Sequence, residues 1–459
     1  MGFKINNLRG SFMEFLDYIV GLGPSVMMPI IITIFAVLLG ANLGKALRAG
    51  LAVGVGFIGL GLVIGLLSDN LGPAAQEMVT KLGLQLTIID VGWPAAAAIA
   101  FASKVGALII PLGLAINVIM LLTNTTQTVN VDIWNFWHFA FTGALVAAVT
   151  GSTTWGLLAA AVNMIIVMVI ADLTAPGVEK YNGLPGISLP HGFSGAYVPI
   201  AIVINKILDF IPAINKINVD AEKLQKRFGV FGEPMLMGTV IGILIGIGAR
   251  YDLKGILNLG ITMGAVLVLI PKMAAMLMEG LIPVSDAAQA FIEKRFKNRG
   301  KIYIGLDSAV GIGHPTTLSV ALVLVPIIIL LAAILPGNKV IPFADLAVIP
   351  FALVMVVPVT KGNVFRTFIV GLFIITVGLL IATNLAPLHT ECAINANFQM
   401  PEGATMISSI CDGANPLTWA ITRLMEFEVI GAAIMVAIAL GMAIYNRSRI
   451  IKKSLKVEE

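Results

Sequence analysis

The sequence carries little charge: Asp, Glu, Lys and Arg make up 12% of its 459 residues, whereas 58% are hydrophobic. A soluble domain carries roughly 25% charged residues. So few polar side chains could not cover the surface of a soluble protein of this size. This excludes a soluble enzyme, a nucleic-acid-binding protein and a disordered scaffold. The sequence therefore predicts an integral membrane protein whose main solvent is the lipid bilayer.

The chain also lacks the motifs by which catalytic and cofactor sites are recognised. It has two cysteines and four scattered histidines, and no Walker loop, zinc-binding spacing or nucleophile elbow. We therefore expect no catalytic residue, no metal and no cofactor in this chain. The absence of a nucleotide-binding motif also argues against a self-powered pump.

Apolar runs fill most of the sequence and predict eleven membrane-spanning helices. They lie at about 25–43, 50–67, 105–123, 137–150, 156–172, 235–250, 256–283, 317–335, 346–360, 367–387 and 420–445. Most of the 29 Lys and Arg residues then fall in segments on one side of the membrane. By the positive-inside rule, this distribution predicts an external N-terminus and a cytoplasmic C-terminus.

The two halves of the sequence resemble each other at an offset of about 210 residues. Asp90 before Gly92-Trp93-Pro94 corresponds to Asp307 before Gly313-His314-Pro315, and three other motif pairs occur in the same order. Each half holds five crossings, an odd number, so the second half must be inverted, as in many transporters. The predicted fold is all-α, with two inverted five-helix repeats, broken or re-entrant segments and an added C-terminal helix. The predicted boundaries are a first repeat with an N-terminal amphipathic segment (1–204), a cytoplasmic linker (205–232), an inverted repeat (233–416), a final helix (417–446) and a basic tail (447–459).

Polar residues interrupt the apolar runs in four segments, where they would lie at membrane depth. An ionisable group there costs about 2.5–3.5 kcal/mol by insertion scales, so it is often functional. Gly- and Pro-interrupted segments at matching positions of two repeats are typical of broken helices around a substrate site. We therefore predict substrate-binding roles for Asp307, His314, Asn130, His138, His191, Glu233, Asp90 and Gln127.

Several of these polar residues have a structural alternative. Asp90 and Asp307 could cap broken helices. His191 could be a solvated loop residue. Glu233 could simply occupy the first turn of the sixth helix, where a carboxylate interacts favourably with the helix dipole. Trp134, in the same polar stretch as Asn130, is assigned to an aromatic belt at the membrane surface, where Trp is enriched.

Both cysteines of the chain, Cys392 and Cys411, lie in the segment 388–416, which contains no Lys or Arg. On the predicted topology this segment faces outward, where a disulfide could form and close a small loop. Two unrelated free thiols are the alternative.

At the polar motifs the chain resembles a known family. The resemblance rests on Asp90-Val-Gly-Trp-Pro, Asn130-Val-Asp-Ile-Trp-Asn-Phe-Trp-His, Leu189-Pro-His-Gly-Phe, Gly232-Glu-Pro and Gly305-Leu-Asp-Ser-Ala-Val-Gly-Ile-Gly-His-Pro. These segments are similar to those of galactitol-type enzyme IIC proteins, membrane permeases of the bacterial phosphoenolpyruvate-dependent sugar phosphotransferase system. The similarity spans about residues 10–445, and the family is related to the ascorbate permeases of the same system.

The resemblance implies a permease of the bacterial inner membrane that carries a polyol such as galactitol inward and presents it for phosphorylation. The phosphoryl group would come from a cysteine of a separate enzyme IIB, which enzyme IIA charges. The resemblance also implies a homodimer and an elevator mechanism, in which a substrate-carrying core moves against a scaffold. No nucleic-acid partner is expected.

Two other functions remain open. One is an ion-coupled secondary transporter of sugars or polyols, in which Asp90, Glu279 or Asp307 would titrate during the cycle. The other is a membrane enzyme that acts on a lipid-borne substrate. Dependence of uptake on enzyme IIB would separate the permease from both.

Overall fold

The structure is a computed structural model, and it describes residues 22, 24–38, 40–83, 86–130, 132–215, 217, 234–295, 302–342, 344–401 and 404–458. The predicted N-terminal amphipathic segment up to residue 21, most of the predicted linker, Glu233 and the basic segment 296–301 lie outside the described residues. The described part is mostly helical, as predicted, and two small β-sheets lie within it.

Helices account for most of both halves of the chain. In the first half they are α1 (Pro24–Leu38), α2 (Leu43–Leu82), α3 (Trp93–Ala102), α4 (Lys104–Leu122), α5 (Phe136–Thr150), α6 (Thr153–Tyr181), α7 (Gly192–Ala196), α8 (Val198–Asp209) and α9 (Pro212–Asn215). In the second half they are α10 (Pro234–Gly248), α11 (Leu253–Arg295), α12 (Pro315–Ile334), α13 (Ile349–Val354), α14 (Val356–Val359), α15 (Val364–Asn395), α16 (Pro416–Met425) and α17 (Glu428–Glu458). Helices α2 and α11 are 40 and 43 residues long and pack against each other.

Six short strands, which the sequence patterns did not predict, form two parallel sheets. They are β1 (Ile88–Asp90), β2 (Thr128–Asn130), β3 (Ile187–Ser188), β4 (Tyr303–Gly305), β5 (Val340–Ile341) and β6 (Met406–Ser408). Sheet A has the strand order β5-β1-β6, and sheet B has the order β2-β4-β3. Each sheet therefore places one strand from one half of the chain between two strands from the other half. The sheets join the two halves through backbone hydrogen bonds.

The order of elements in the first half recurs in the second. Each half runs through a helix pair, a strand, an apolar helical segment, a second strand, a 3₁₀ turn, a helical segment, a long helix and a third strand. The sheets follow the same scheme. Replacing β1 by β4, β2 by β5 and β3 by β6, and the reverse, converts the strand order of sheet A into that of sheet B.

Glycines allow the same close helix approach in the first helix pair of each half. A Cβ atom on Gly54 would lie 2.8 Å from the carbonyl oxygen of Ser25. A Cβ on Gly264, 210 residues later, would lie 2.9 Å from the carbonyl oxygen of Met235, itself 210 residues after Ser25. Distances this short leave no room for a side chain, so glycine lets the paired helices pack backbone to backbone.

Fewer helices than predicted are continuous membrane spans. Within the described ranges, the helices long and apolar enough to cross a membrane are Lys104–Leu122, Ile133–Thr150, Thr153–Tyr181, Val364–Asn395 and Glu428–Lys452. A bent pair, Pro315–Val325 and Ile327–Ile334, would add a sixth. The protein is therefore membrane-integral, and the predicted number of eleven crossings stays a prediction.

Several predicted spans, including those at 346–360, 420–445 and 50–67, have different bounds in the structure. The span at 346–360 is divided at Met355 into α13 and α14, where Pro358 has no N–H to donate to Val354. The span at 420–445 covers α16 and α17, which are separated before Glu428, a residue with φ of 45°. The span at 50–67 belongs to α2, which continues through Pro73 to Leu82.

Candidate functional site

Polar residues predicted to bind substrate meet at one end of sheet B. Its three parallel strands end in register, at Asn130, Gly305 and Ser188. The residues that follow them therefore meet at one edge of the sheet. The backbone N–H of Asp307 donates to Asp132 Oδ2 at 3.0 Å, and His191 Nε2 lies 3.6 Å from Asp307 Oδ1. Asn130, His191 and Asp307 are thus brought together from three separate motifs.

A chain of hydrogen bonds runs from this edge to Asp412, which follows the last strand of sheet A. His138 Nε2 lies 3.3 Å from His191 Nε2, and His138 Nδ1 is hydrogen-bonded to Asp412 Oδ2. His191 Nδ1 accepts the backbone N–H of Ser194 at 3.2 Å, so it carries no proton. His191 Nε2–H therefore donates to His138, whose Nδ1–H donates to Asp412. Asn415 Nδ2 donates to the other oxygen of Asp412 at 2.8 Å, which fixes the carboxylate in turn.

Four side chains at or beyond the ends of strands β2 and β4 have polar atoms without a hydrogen-bond partner among the described residues. The atoms are both amide atoms of Asn130, both amide atoms of Asn135, Ser308 Oγ and His314 Nδ1. Asn130, Asn135 and Ser308 are fully buried. An unpaired buried polar group costs about 1–3 kcal/mol. Such a concentration of these groups indicates that they bind a ligand.

At the corresponding end of sheet A, the carboxylates accept hydrogen bonds from neighbouring groups of the protein. Asp90 Oδ1 accepts the backbone N–H of Gly92 at 3.1 Å, and Asp90 Oδ2 accepts that of Asp345 at 2.8 Å. Asp345 Oδ1 accepts the backbone N–H of Trp93 at 2.6 Å, and its Oδ2 accepts the hydroxyl of Ser409 at 2.5 Å. Asp90 thus belongs to sheet A, apart from the Asn130 cluster, and makes the turn-stabilising contacts of the capping alternative.

The other predicted site residues are placed as follows. Gln127 precedes β2, at the opposite end of that strand from Asn130, and its backbone N–H donates to Asp172 Oδ2 at 3.0 Å. His314 is half-buried and precedes α12, beyond the 3₁₀ turn Ser308–Gly311. Of the predicted set, the structure therefore joins Asn130, His138, His191 and Asp307 in one cluster.

Tryptophan rings pack beside the imidazole pair. The ring centroids of Trp93 and Trp137 are 6.4 Å apart in a stacked arrangement, and those of Trp137 and His138 are 4.1 Å apart. Trp134 is 3% exposed and packs edge-on against Trp93. Its assignment to a membrane-surface belt was therefore wrong, because the 3₁₀ turn after β2 directs it into the interior.

The cysteines are buried free thiols, so the structure contains no disulfide between Cys392 and Cys411. Cys411 lies beside the imidazole pair, and ligand atoms of His138, Cys411 and Asp412 lie within 4.8 Å of one another. These residue types could hold a metal ion. His138 Nδ1 and Asp412 Oδ2 are already hydrogen-bonded to each other, however, which accounts for their proximity.

Asp172 on α6 anchors the first strand of sheet B from behind. Its carboxylate accepts the hydroxyl of Thr128 at 2.7 Å, the backbone N–H of Gln127 at 3.0 Å and the amide of Asn446 on α17 at 2.6 Å. Replacing Asp172 by alanine removes these three hydrogen bonds to a carboxylate, and a hydrogen bond to a charged group contributes about 1.5–3 kcal/mol. We expect D172A to unfold several degrees below the wild type in detergent, measured by thermal unfolding. The exposed-residue control D69A should match the wild type, and equal melting temperatures for D172A would contradict the anchoring role.

Apolar helices that surround a buried, partly unsatisfied polar cluster define a membrane transport protein. The chain belongs to the family of sugar-specific permease components of the phosphotransferase system (EIIC-GAT), whose model matches residues 18–403.

Relatives agree over nearly the whole chain. Two galactitol-specific EIIC components, from Escherichia coli strain K12 and from Escherichia coli O157:H7, are each 41% identical over 433 residues, which is 93% of this chain and 95% of the relative. A second K12 relative, a permease IIC component whose name specifies no substrate, is also 41% identical, over 94% of this chain and 99% of its own length. The chain is therefore a permease component of this system over nearly its whole length.

Proposed function

We propose that this permease component carries galactitol, or a polyol of similar size, inward and presents it to phosphorylated enzyme IIB. The observation that carries the proposal is the set of unpartnered buried atoms of Asn130, Asn135 and Ser308 beside Asp307. These atoms include both donors and acceptors, which matches hydroxyl groups that can do either. The two galactitol-specific relatives support galactitol as the first substrate to test.

In the proposed complex, Asp307 accepts a hydrogen bond from a substrate hydroxyl. Such a bond to a carboxylate is charge-assisted and therefore stronger than a neutral one. The amide of Asn130 both accepts and donates. The His138–His191 pair offers the same two functions when the hydrogen bond between the rings opens, and Asp412 holds His138 in position from its far side.

The carboxylates of the site also favour release of the product. Asp132 and Asp307 lie at the strand ends, and Asp412 lies on the far side of the imidazole pair, so a phosphate ester would bring negative charge close to three acidic groups. Like charges placed together cost several kcal/mol. We expect galactitol 1-phosphate to bind purified protein at least about tenfold more weakly than galactitol at neutral pH, measured by isothermal titration calorimetry. Equal or tighter binding of the ester would contradict this account of release.

We further propose that the two halves form inverted repeats, with the N-terminus outside and the C-terminus in the cytoplasm of a bacterial inner membrane. The repeated order of elements and the exchange of strands between the two sheets support a pseudo-twofold relation between the halves. Eleven crossings, counting short and broken helices, satisfy these end positions. A homodimer with a moving substrate-carrying core completes the proposal, and enzymes IIB and IIA are its cytoplasmic partners.

An ion-coupled transporter is the second candidate, and the proximity of Asp132 and Asp307 is the observation that favours it. Two acidic groups that follow neighbouring strands could exchange a proton during transport. Uptake that an uncoupler abolishes, and that proceeds without enzyme IIB, would support this second function.

A further inference from the structure

A cavity of about 440 Å³ lies at the far end of α5 from the strand-end cluster. Its polar wall includes Ser103, Thr153, Glu391 and Asn395, and its apolar wall includes Cys392 and alanines of α5. Cavities of about 300–1,000 Å³ are typical of small-molecule sites. On the proposed topology, the residues between α3 and α4, between α5 and α6, and after α15 all face outward. The cavity would thus open on the side from which substrate arrives.

Two packed helices connect this cavity with the site. On α5, His138, Phe141 and Ala144 follow one another at three-residue spacing and share a face, and Ala144 lines the cavity. On α15, His389 and Cys392 share a face in the same way, and Cys392 lines the cavity. The helices contact each other, and the rings of Phe141 and His389 meet edge to face with centroids 4.9 Å apart. His138 and Ala144 are about 9 Å apart along the helix axis.

His389 is a polar residue at this contact between α5 and α15, and it lies between the cavity and Asp412. It is fully buried, and neither of its ring nitrogens has a hydrogen-bond partner among the described residues. Its Nδ1 lies 3.9 Å from the position that a Cβ on Gly413 would occupy, next to Asp412. A buried imidazole with a free donor and a free acceptor is costly unless a ligand completes it. A polyol hydroxyl can satisfy both atoms.

We propose that the cavity is an outward-facing binding site in which the polyol is first held, and that His389 hydrogen-bonds its hydroxyls on the way to Asp412. The inference rests on the proposed function, because it takes the same uncharged polyol as the substrate. It assigns a second site to the permease, about two helical turns from the first, with Phe141 as the apolar side chain that separates them.

The thiol of Cys392 reports on the cavity directly. A membrane-impermeant methanethiosulfonate, added to right-side-out vesicles without enzyme IIB, should form a mixed disulfide with Cys392 and release methanesulfinate. Both thiols are buried, but Cys411 lies outside the cavity wall, so mass spectrometry should find it to react at least about tenfold more slowly than Cys392. Saturating galactitol should slow modification of Cys392 at least about threefold, whereas sucrose at equal osmolarity should not. Labelling only in inside-out vesicles, or without any galactitol protection, would overturn the inference.

Substitution of His389 tests its role in passage. H389F keeps the ring contact with Phe141 but removes both polar atoms, and H389Q restores a donor and an acceptor. We expect uptake by H389F to show a KM at least about tenfold higher than the wild type, and H389Q to recover most of that loss. The strand-end site is unchanged in H389F, so the affinity of that site for galactitol should stay within about twofold of the wild type in equilibrium binding to the purified protein.

The outcomes separate the two proposals. Unchanged uptake kinetics of H389F, with normal uptake by the wild type, would refute the second site and leave the proposed function standing. Absence of galactitol uptake and binding in the wild type would refute the proposed function and the second site with it.

Discussion

Asp307→Asn should weaken galactitol binding about tenfold or more while leaving the stability of the protein unchanged. Asp307 Oδ1 accepts the backbone N–H of Ala309 at 2.6 Å and so caps the 3₁₀ turn that follows β4. Asparagine caps as well as aspartate does, so the turn should persist. Hydrogen bonds to a charged group contribute about 1.5–3 kcal/mol and neutral ones about 0.5–1.5. The loss of charge therefore removes about 1.4 kcal/mol, which is a factor of ten in affinity.

Calorimetric titration with galactitol and thermal unfolding in detergent would measure the two quantities. D252N is the matched control, because Asp252 Oδ1 accepts the N–H of Gly255 at 2.8 Å in an exposed turn before α11. It should change neither the affinity nor the melting temperature. Unchanged affinity in a folded D307N protein would leave Asp307 with a capping role alone.

Removal of Asp412 is expected to reduce phosphorylation-coupled uptake about a hundredfold. Asp412 fixes the tautomer of His138 by accepting its Nδ1–H, and His138 in turn accepts from His191. In D412A the Nδ1–H of His138 loses its acceptor in a fully buried position. A hydrogen bond to a charged group contributes about 1.5–3 kcal/mol. If the imidazoles move out of position as a result, and most of this free energy is lost from the transport step, the uptake rate falls about a hundredfold.

D412N separates orientation from charge, because its side-chain oxygen can still accept from His138. We expect D412N to retain more uptake than D412A, with a melting temperature close to that of the wild type. D209A serves as the surface control, since Asp209 is an exposed partner of Arg366. Full uptake by a folded D412A protein would remove Asp412 from the working site.

The sequence was sufficient to predict most of the cluster around Asp307. Asn130, His138, His191 and Asp307 each interrupt an apolar run, and the cost of burying polar groups among apolar helices identifies such positions. The same argument could not decide between Asp90 and Asp307. Their local sequences are alike, and only the three-dimensional partners show that Asp90 is satisfied by two backbone N–H groups.

Asp412, Asn135 and His389 were not predicted. Asp412 lies in the segment 388–416, which was predicted to face outward, and it was not among the predicted site residues. Pairing with His138 across 274 residues depends on how the sheets join the two halves, and no local pattern encodes that pairing. The strands themselves escaped prediction because two or three residues are too few to show a periodicity. His389 lies beyond the predicted end of the apolar span at residue 387, in the segment predicted to face outward, so its burial within α15 was not expected.

On the proposed function, galactitol enters by phosphorylation coupled to its transport. The measurement is uptake of labelled galactitol into vesicles that contain this protein, with and without phosphorylated enzyme IIB on the cytoplasmic side, followed by assay of the contents for the phosphate ester. We expect the ester to accumulate inside only when phosphorylated enzyme IIB is present, and D307N vesicles to accumulate far less. Free galactitol that accumulates against its gradient without enzyme IIB would contradict the claim and identify an ion-coupled carrier instead.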